Sequence, residues 1–209
     1  MRLVFMGTPE FAIPSLSALI EANHEIPLVV TRPDRAAGRG RLMTPPPVKT
    51  LALQRGLTVL QPEKIREPGF LDALRRAQPE AIVVVAYGKI LPREVLDLPE
   101  KGCLNLHASL LPKFRGASPV AWAVLAGESR TGVCAMRLTE GMDEGPVYQC
   151  EETPIGPDET AGELSKRLAE IGAGLLLRTL EGLRAGTLVP RPQDHDKASY
   201  APLLVKSDG

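Results

Sequence analysis

Aromatic side chains make up only 4% of the 209 residues and include a single tryptophan, so any core this chain builds is aliphatic. The three cysteines, Cys103, Cys134 and Cys150, are odd in number and contain no CxxC pair. That pattern predicts neither a disulfide framework nor a zinc site, and it points to a reducing compartment. Neither sign of charge dominates: 25 basic residues balance 25 acidic ones, so a nucleic-acid contact has to come from a local patch. No apolar run reaches membrane-spanning length, and the residues between Arg2 and Gly7 are too few for the apolar part of a signal peptide. A cytoplasmic protein without a membrane partner is expected. A dinucleotide fingerprint of three spaced glycines is missing too, since Gly7-Thr8-Pro9-Glu10-Phe11 has one glycine and puts Glu10 where a phosphate would sit. NAD binding is not expected.

What is present reads as alternating strands and helices, in a length sufficient for one sizeable core. Leu3 to Met6 is an apolar run closed by Gly7, followed by Thr8 as an N-cap, Pro9 at the first helical position and Glu10 in the first turn. The helix is expected from Pro9 to Ala22 with an interruption at Pro14, and Ile26 to Val30 forms the next strand. Strand, helix and strand, with near-continuous apolar strands, predict a βαβ unit on a parallel sheet. Further helices are expected at Val48 to Arg55 and Pro68 to Ala77, with a strand at Leu57 to Leu60. Ala81 to Ala86 is apolar throughout and rich in β-branched residues, hence a central strand. Gly102 to Leu106 is another short strand, and Ala117 to Ala126 is a helix carrying Trp122 into the core. Thr131 to Leu138 and Val147 to Thr153 read as two strands extending the sheet antiparallel. Asp158-Glu159-Thr160 caps a long helix to Arg184, whose Leu164, Leu168, Ile171, Leu175 and Leu176 make one apolar stripe and which ends at Gly186. The expected class is α/β, an open, mainly parallel, Rossmann-type sheet with helices on both faces, spanning residues 1–189; residues 190–209 read as a linker.

The chemistry concentrates after Gly102 to Leu106. Asn105 and His107 lie two apart on that strand and therefore face one side. A carboxamide beside a neutral imidazole offers donors to a developing oxyanion and a base for a proton. A lone histidine after a strand is more often a hydrogen-bonded structural residue. The added signal is Gly141-Met142-Asp143-Glu144-Gly145-Pro146, a tight loop between two expected strands that could bring Asp143 to orient His107 and hold its charged form. Ligands in open α/β sheets collect outside the carboxyl ends of strands, and both Ala86-Tyr87-Gly88 and Asn105 to Ser109 have that position, so the two stretches are expected to line one cleft. A second local feature is Arg32 to Pro47, with four arginines, one acid, two glycines and four prolines. Its composition suits a solvated loop or a basic arm laid on a phosphate backbone, and does not choose between them.

These residues resemble the 10-formyltetrahydrofolate-dependent formyltransferases, most closely those acting on methionyl initiator tRNA. The matching motifs are Phe5-Met6-Gly7-Thr8-Pro9-Glu10-Phe11-Ala12, Arg32-Pro33-Asp34-Arg35 through Gly38-Arg39-Gly40, Val84-Val85-Ala86-Tyr87-Gly88, Asn105 to Gly116, and Gly141-Met142-Asp143-Glu144-Gly145. The resemblance implies a catalytic trio of Asn105, His107 and Asp143. It implies pterin contacts from Ala86, Tyr87, Gly88, Ser109, Leu110, Leu111, Pro112, Gly141 and Met142, and tRNA contacts from Arg35, Arg39 and Arg41. It further implies 10-formyltetrahydrofolate as co-substrate, no metal and a monomer. The family continues past the segment resembling Ser199-Tyr200-Ala201-Pro202 into a tRNA-gripping barrel, which is absent here, and Leu203 stands near where relatives carry a lysine. The rival readings are a nucleotide-sugar or glycinamide ribonucleotide formyltransferase, a formyltetrahydrofolate hydrolase, and a non-catalytic folate- or tRNA-binding module. Pro9 with Glu10 disfavours the phosphate loop that a ribonucleotide enzyme would want.

Overall fold

The computed structural model describes residues 1–37 and 42–205. The chain divides into two compact units, Met1–Leu104 and Asn105–Gly209, each treated by itself below.

The first unit is a doubly wound parallel arrangement. Strands β1 (Arg2–Gly7), β2 (Glu25–Val30), β5 (Val59–Leu60) and β6 (Ala81–Val85) lie in the order β5-β2-β1-β6, all parallel. Helices α1 (Ile13–Glu21), α2 (Pro47–Gln54), α3 (Pro68–Ala77) and α4 (Arg93–Leu96) make the connections. The apolar runs explain the order: Leu3 to Met6 and Ala81 to Val85 are buried throughout, as strands covered on both faces must be. A short antiparallel hairpin, β3 (Arg35–Ala37) with β4 (Leu42–Thr44), interrupts the crossover.

The first helix differs from the expectation in two ways. It opens as a 3-10 turn, Glu10–Ala12, and becomes α-helical at Ile13, where Pro14 sits in the first turn and has no hydrogen bond to lose. Pro9, not Thr8, occupies the cap, and the Thr8 hydroxyl donates to the Tyr87 carbonyl at 3.3 Å. Gly7 is required here because an added Cβ would lie 2.8 Å from the Phe5 ring and 3.0 Å from the Val85 carbonyl oxygen.

In the second unit β7 (Cys103–His107), which begins two residues before the division, is followed by α5 (Pro119–Leu125), the antiparallel pair β8 (Arg130–Arg137) and β9 (Val147–Pro154), and α6 (Ala161–Ala185). A reciprocal capping box starts α6: Thr160 Oγ1 accepts the Glu163 N–H while the Glu163 carboxylate accepts the Thr160 N–H and hydroxyl. Those bonds, the hydroxyl's first, hold Glu163 below the usual carboxylate range. Gly186 closes the helix in the left-handed conformation. Leu164, Leu168, Leu175 and Leu176 of the expected stripe are buried, while Ile171 is half-buried. At Gly172 an added Cβ would be 3.4 Å from Leu106 and 3.5 Å from Val133, so α6 lies directly on β7 and β8.

Three expectations are corrected here. Cys134 and Cys150 face each other in the β8–β9 register and form a disulfide, a pairing that spacing alone could not reveal because only the antiparallel register brings the two together. Trp122 is half-buried, with its indole N–H donating to the Pro202 carbonyl at 2.8 Å. Residues 190–202, read as linker, are woven into the second unit: Arg191 exchanges two backbone hydrogen bonds with Val147, and Arg115 receives Ala201 N–H and donates to Ser199 O. Among the described residues no helix is long and apolar enough to cross a membrane.

Candidate active site

Leu106 points toward α6, so its neighbours Asn105 and His107 face the opposite side of β7. The His107 imidazole is fixed at one edge by the Phe114 carbonyl, 2.8 Å from Nε2. A carbonyl only accepts, so Nε2 carries the proton and Nδ1 is the nitrogen left for chemistry. Nδ1 faces Asp143 Oδ2 at 3.5 Å, an ion-pair separation slightly longer than a direct hydrogen bond. The same Oδ2 accepts the Gly116 N–H at 2.8 Å.

Asp143 occupies the β8–β9 turn with φ +52°, left-handed and uncommon for a residue with a side chain. Phe114 is also left-handed at φ +58°. Gly116, at φ +119°, could carry no side chain: a Cβ there would lie 2.8 Å from the Ala201 carbonyl oxygen. These three turns bring the carboxylate, the imidazole and their fixing groups to one place. Asn105 is 8% exposed and stands two residues before His107 on the same face of β7. A carboxamide on the same strand face as an imidazole–carboxylate pair can donate to an oxygen that gains charge.

A family model described as formyl transferase matches residues 1–180. The chain belongs to the formyl transferase family. It is 55% identical over 204 residues to a methionyl-tRNA formyltransferase of Moorella thermoacetica, covering 98% of this chain and 66% of that one. To the methionyl-tRNA formyltransferase of Acidobacterium capsulatum it is 53% identical, covering 100% of this chain and 68% of that one. The chain thus spans about two thirds of the length of the curated relatives it matches. Among solved structures, an N-formyltransferase from Helicobacter canadensis in complex with folinic acid and dTDP-3-aminofucose superposes with a TM-score of 0.72 at 19% identity, over 100% of this chain and 72% of that one. At that identity the likeness speaks for the fold.

Within this formyl transferase chain, the structure brings His107 and Asp143 together, with Asn105 on the same strand face. Ser109 is fully buried and its hydroxyl donates to Lys113 O at 2.6 Å, which shapes the turn that carries Leu110, Leu111 and Pro112. Gly141 and the exposed Met142 precede Asp143 in its loop. In the first unit, Ala86 and Gly88 follow β6 in left-handed conformations, and Arg32 donates to the Gly88 carbonyl. Tyr87 between them is buried, its hydroxyl without a partner among the described residues, and burial pushes that hydroxyl up to about 12. Arg35 is exposed on β3, whereas Arg39 and Arg41 lie outside the described residues. Among the described residues no cluster of three or more His, Cys, Asp or Glu could hold a metal ion.

Sequence reasoning missed the groups that orient this candidate site. The Phe114 carbonyl and the Gly116 amide are backbone groups, invisible to any reading of side chains. Arg115 lies inside the Asn105 to Gly116 motif, where no role was expected of it, and Gln193 falls in the expected linker. A polar residue in a proline-bounded tail carries no periodic signal that could have marked it as buried.

Proposed function

We propose that the chain moves the formyl group of 10-formyltetrahydrofolate to the α-amino group of methionyl initiator tRNA. The observation that carries the proposal is the His107 Nδ1 edge, directed at Asp143 at 3.5 Å while Nε2 is committed to Phe114 O. An α-amine with a pKa near 8 is largely protonated at neutral pH and must lose a proton before attacking a carbonyl carbon. Nδ1 takes that proton, directly or through one water, and the Asp143 carboxylate stabilises the imidazolium that results. The Asn105 amide donates to the carbonyl oxygen as it gains charge, a contact worth roughly 3–4 kcal/mol in comparable sites. The co-substrate supplies the activated formyl group and leaves as tetrahydrofolate: the bond between the formyl carbon and its N10 breaks as the new amide forms, and N10 takes up the proton held on His107.

The names of the relatives at 53–55% identity support the acceptor. The pterin contacts assigned to Ala86, Tyr87, Gly88, Ser109 to Pro112, Gly141 and Met142, and the tRNA contacts assigned to Arg35, Arg39 and Arg41, belong to the same proposal. So do a cytoplasmic setting and a monomeric chain. The test is single-turnover transfer from 10-formyltetrahydrofolate to methionyl initiator tRNA, glycinamide ribonucleotide and a dTDP-amino sugar in parallel. Transfer to the first alone is expected. Transfer only to another amine, or release of formate alone, would overturn the acceptor.

A further inference from the structure

Arg115 is 2% exposed, yet among the described residues its guanidinium meets no carboxylate. Nε and Nη2 both donate to one oxygen, Gln193 Oε1, at 3.1 and 2.7 Å, and Nη1 lies 3.3 Å from His195 Nδ1. A guanidinium only donates, so this fork fixes the Gln193 amide with its oxygen toward Arg115 and its NH2 pointing away. That NH2 uses both hydrogens on the catalytic loop, donating to the carbonyls of Asp143 at 2.8 Å and Gly145 at 2.7 Å. Asp143 sits at φ +52°, a left-handed conformation open to aspartate, and the two bonds from Gln193 tie its backbone down there.

From this juxtaposition we propose that Gln193 is a positioning residue for formyl transfer, oriented by Arg115 and holding the Asp143 backbone so that the carboxylate faces His107 Nδ1. Three consecutive residues then set the site. Phe114 O orients the imidazole, Arg115 acts through Gln193 on the Asp143 backbone, and Gly116 N–H holds the Asp143 carboxylate. A glutamate at 193 would still satisfy Arg115, now as an ion pair, but would present no donor to the two carbonyls. Structural and positioning roles therefore separate at this one side chain.

The rate part of the test rests on the formyl-transfer reading; the spectroscopic part does not. Gln193→Glu and Gln193→Ala are compared with the parent and with Trp122→Phe, which removes the bond to Pro202 O and leaves every hydrogen bond named at His107, Asp143 and Gln193 in place. In steady-state formyl transfer, both Gln193 variants should lose about 100-fold in kcat, the order expected for a misplacement near 1 Å, with KM for the co-substrate unchanged. Trp122→Phe should keep the parental kcat. Thermal unfolding should show Gln193→Glu at least as stable as Gln193→Ala. In imidazole 15N spectra of the full chain without substrate, the His107 Nδ1 resonance should move in both Gln193 variants and stay in place in Trp122→Phe. Gln193→Glu with parental kcat, or a His107 spectrum coincident with the parent's, would overturn the proposal. Should the parent itself transfer no formyl group, the function reading falls and the spectra alone decide the positioning role.

Discussion

Replacing Asp143 by asparagine keeps the size of the side chain, removes its charge and turns one acceptor oxygen into an NH2 donor. The Asn side-chain oxygen can still accept the Gly116 N–H that Oδ2 now accepts at 2.8 Å, and the loop retains both bonds from Gln193. What disappears is the attraction between a carboxylate and an imidazolium formed as the amine gives up its proton. At the observed 3.5 Å and an effective dielectric of about 20, that attraction amounts to roughly 5 kcal/mol. The asparagine dipole recovers part of it. A net loss of about 4 kcal/mol corresponds to roughly a thousandfold in rate. Single-turnover transfer at saturating co-substrate, followed by rapid quench, isolates this step from product release. Methionyl initiator tRNA and a small amine acceptor should lose the same factor, because the defect lies in proton transfer and not in docking. The melting temperature should hold for Asp143→Asn. For Asp143→Ala it should fall, since the Gly116 N–H then loses its acceptor at a cost of about 1–3 kcal/mol. Transfer by Asp143→Asn within about tenfold of the parent, which is only ~1.4 kcal/mol, would refute the electrostatic role.

Other consequences follow from single contacts. Tyr87→Phe removes a buried hydroxyl that has no partner among the described residues, so unfolding should show equal or greater stability, and a loss above about 1 kcal/mol would mean that the hydroxyl is satisfied. Gly145→Ala puts a Cβ 1.9 Å from the Arg137 carbonyl oxygen, a backbone atom that cannot give way, so stability should drop by about 1–3 kcal/mol and transfer should fall with it. Thiol titration of the unfolded, unreduced chain should find one thiol, that of Cys103, and three after reduction. Asp34 is held below the usual carboxylate range, chiefly by its bond to Lys49 and then by Gln61. Its contribution to stability is therefore present above the unfolded carboxylate value and lost as pH falls through the lowered folded one. The stability gap between the parent and Lys49→Met should accordingly be widest near neutral pH and close on acidification.

Much of the fold was legible because burial on two faces writes itself as continuous apolar sequence. Pro68 to Ala77 came out as read, and the strand expected at Ala81 to Ala86 ends one residue sooner, at Val85, because Ala86 turns left-handed. The first helix was harder. Proline in the first turn is compatible with a helix beginning before it or at it, and only packing, here the close approach of Gly7 to Phe5 and Ala12, decides which. The Cys134–Cys150 pair depended on strand register, which the turn between β8 and β9 sets and composition does not display.

The site followed a different rule. Asn105, His107 and Asp143 could be picked out because their side chains have chemistry, and alternation on a strand already puts two of them on one side. Which imidazole nitrogen is available could not be read, because a backbone carbonyl seven residues along, that of Phe114, decides it. Nor could the fate of residues 190–202, whose prolines and polar side chains look like those of any solvated tail. Only Gln193 and Ala201 of that stretch are buried, and the burial of Gln193 arises from partners elsewhere in the chain: Arg115, which meets no acid among the described residues, requires an oxygen, and the loop carbonyls of Asp143 and Gly145 require donors. One glutamine meets both needs. A buried cation without an acid beside it therefore calls for a carboxamide brought from elsewhere in the chain, and it is the fold, not the sequence, that shows Gln193 to be that residue.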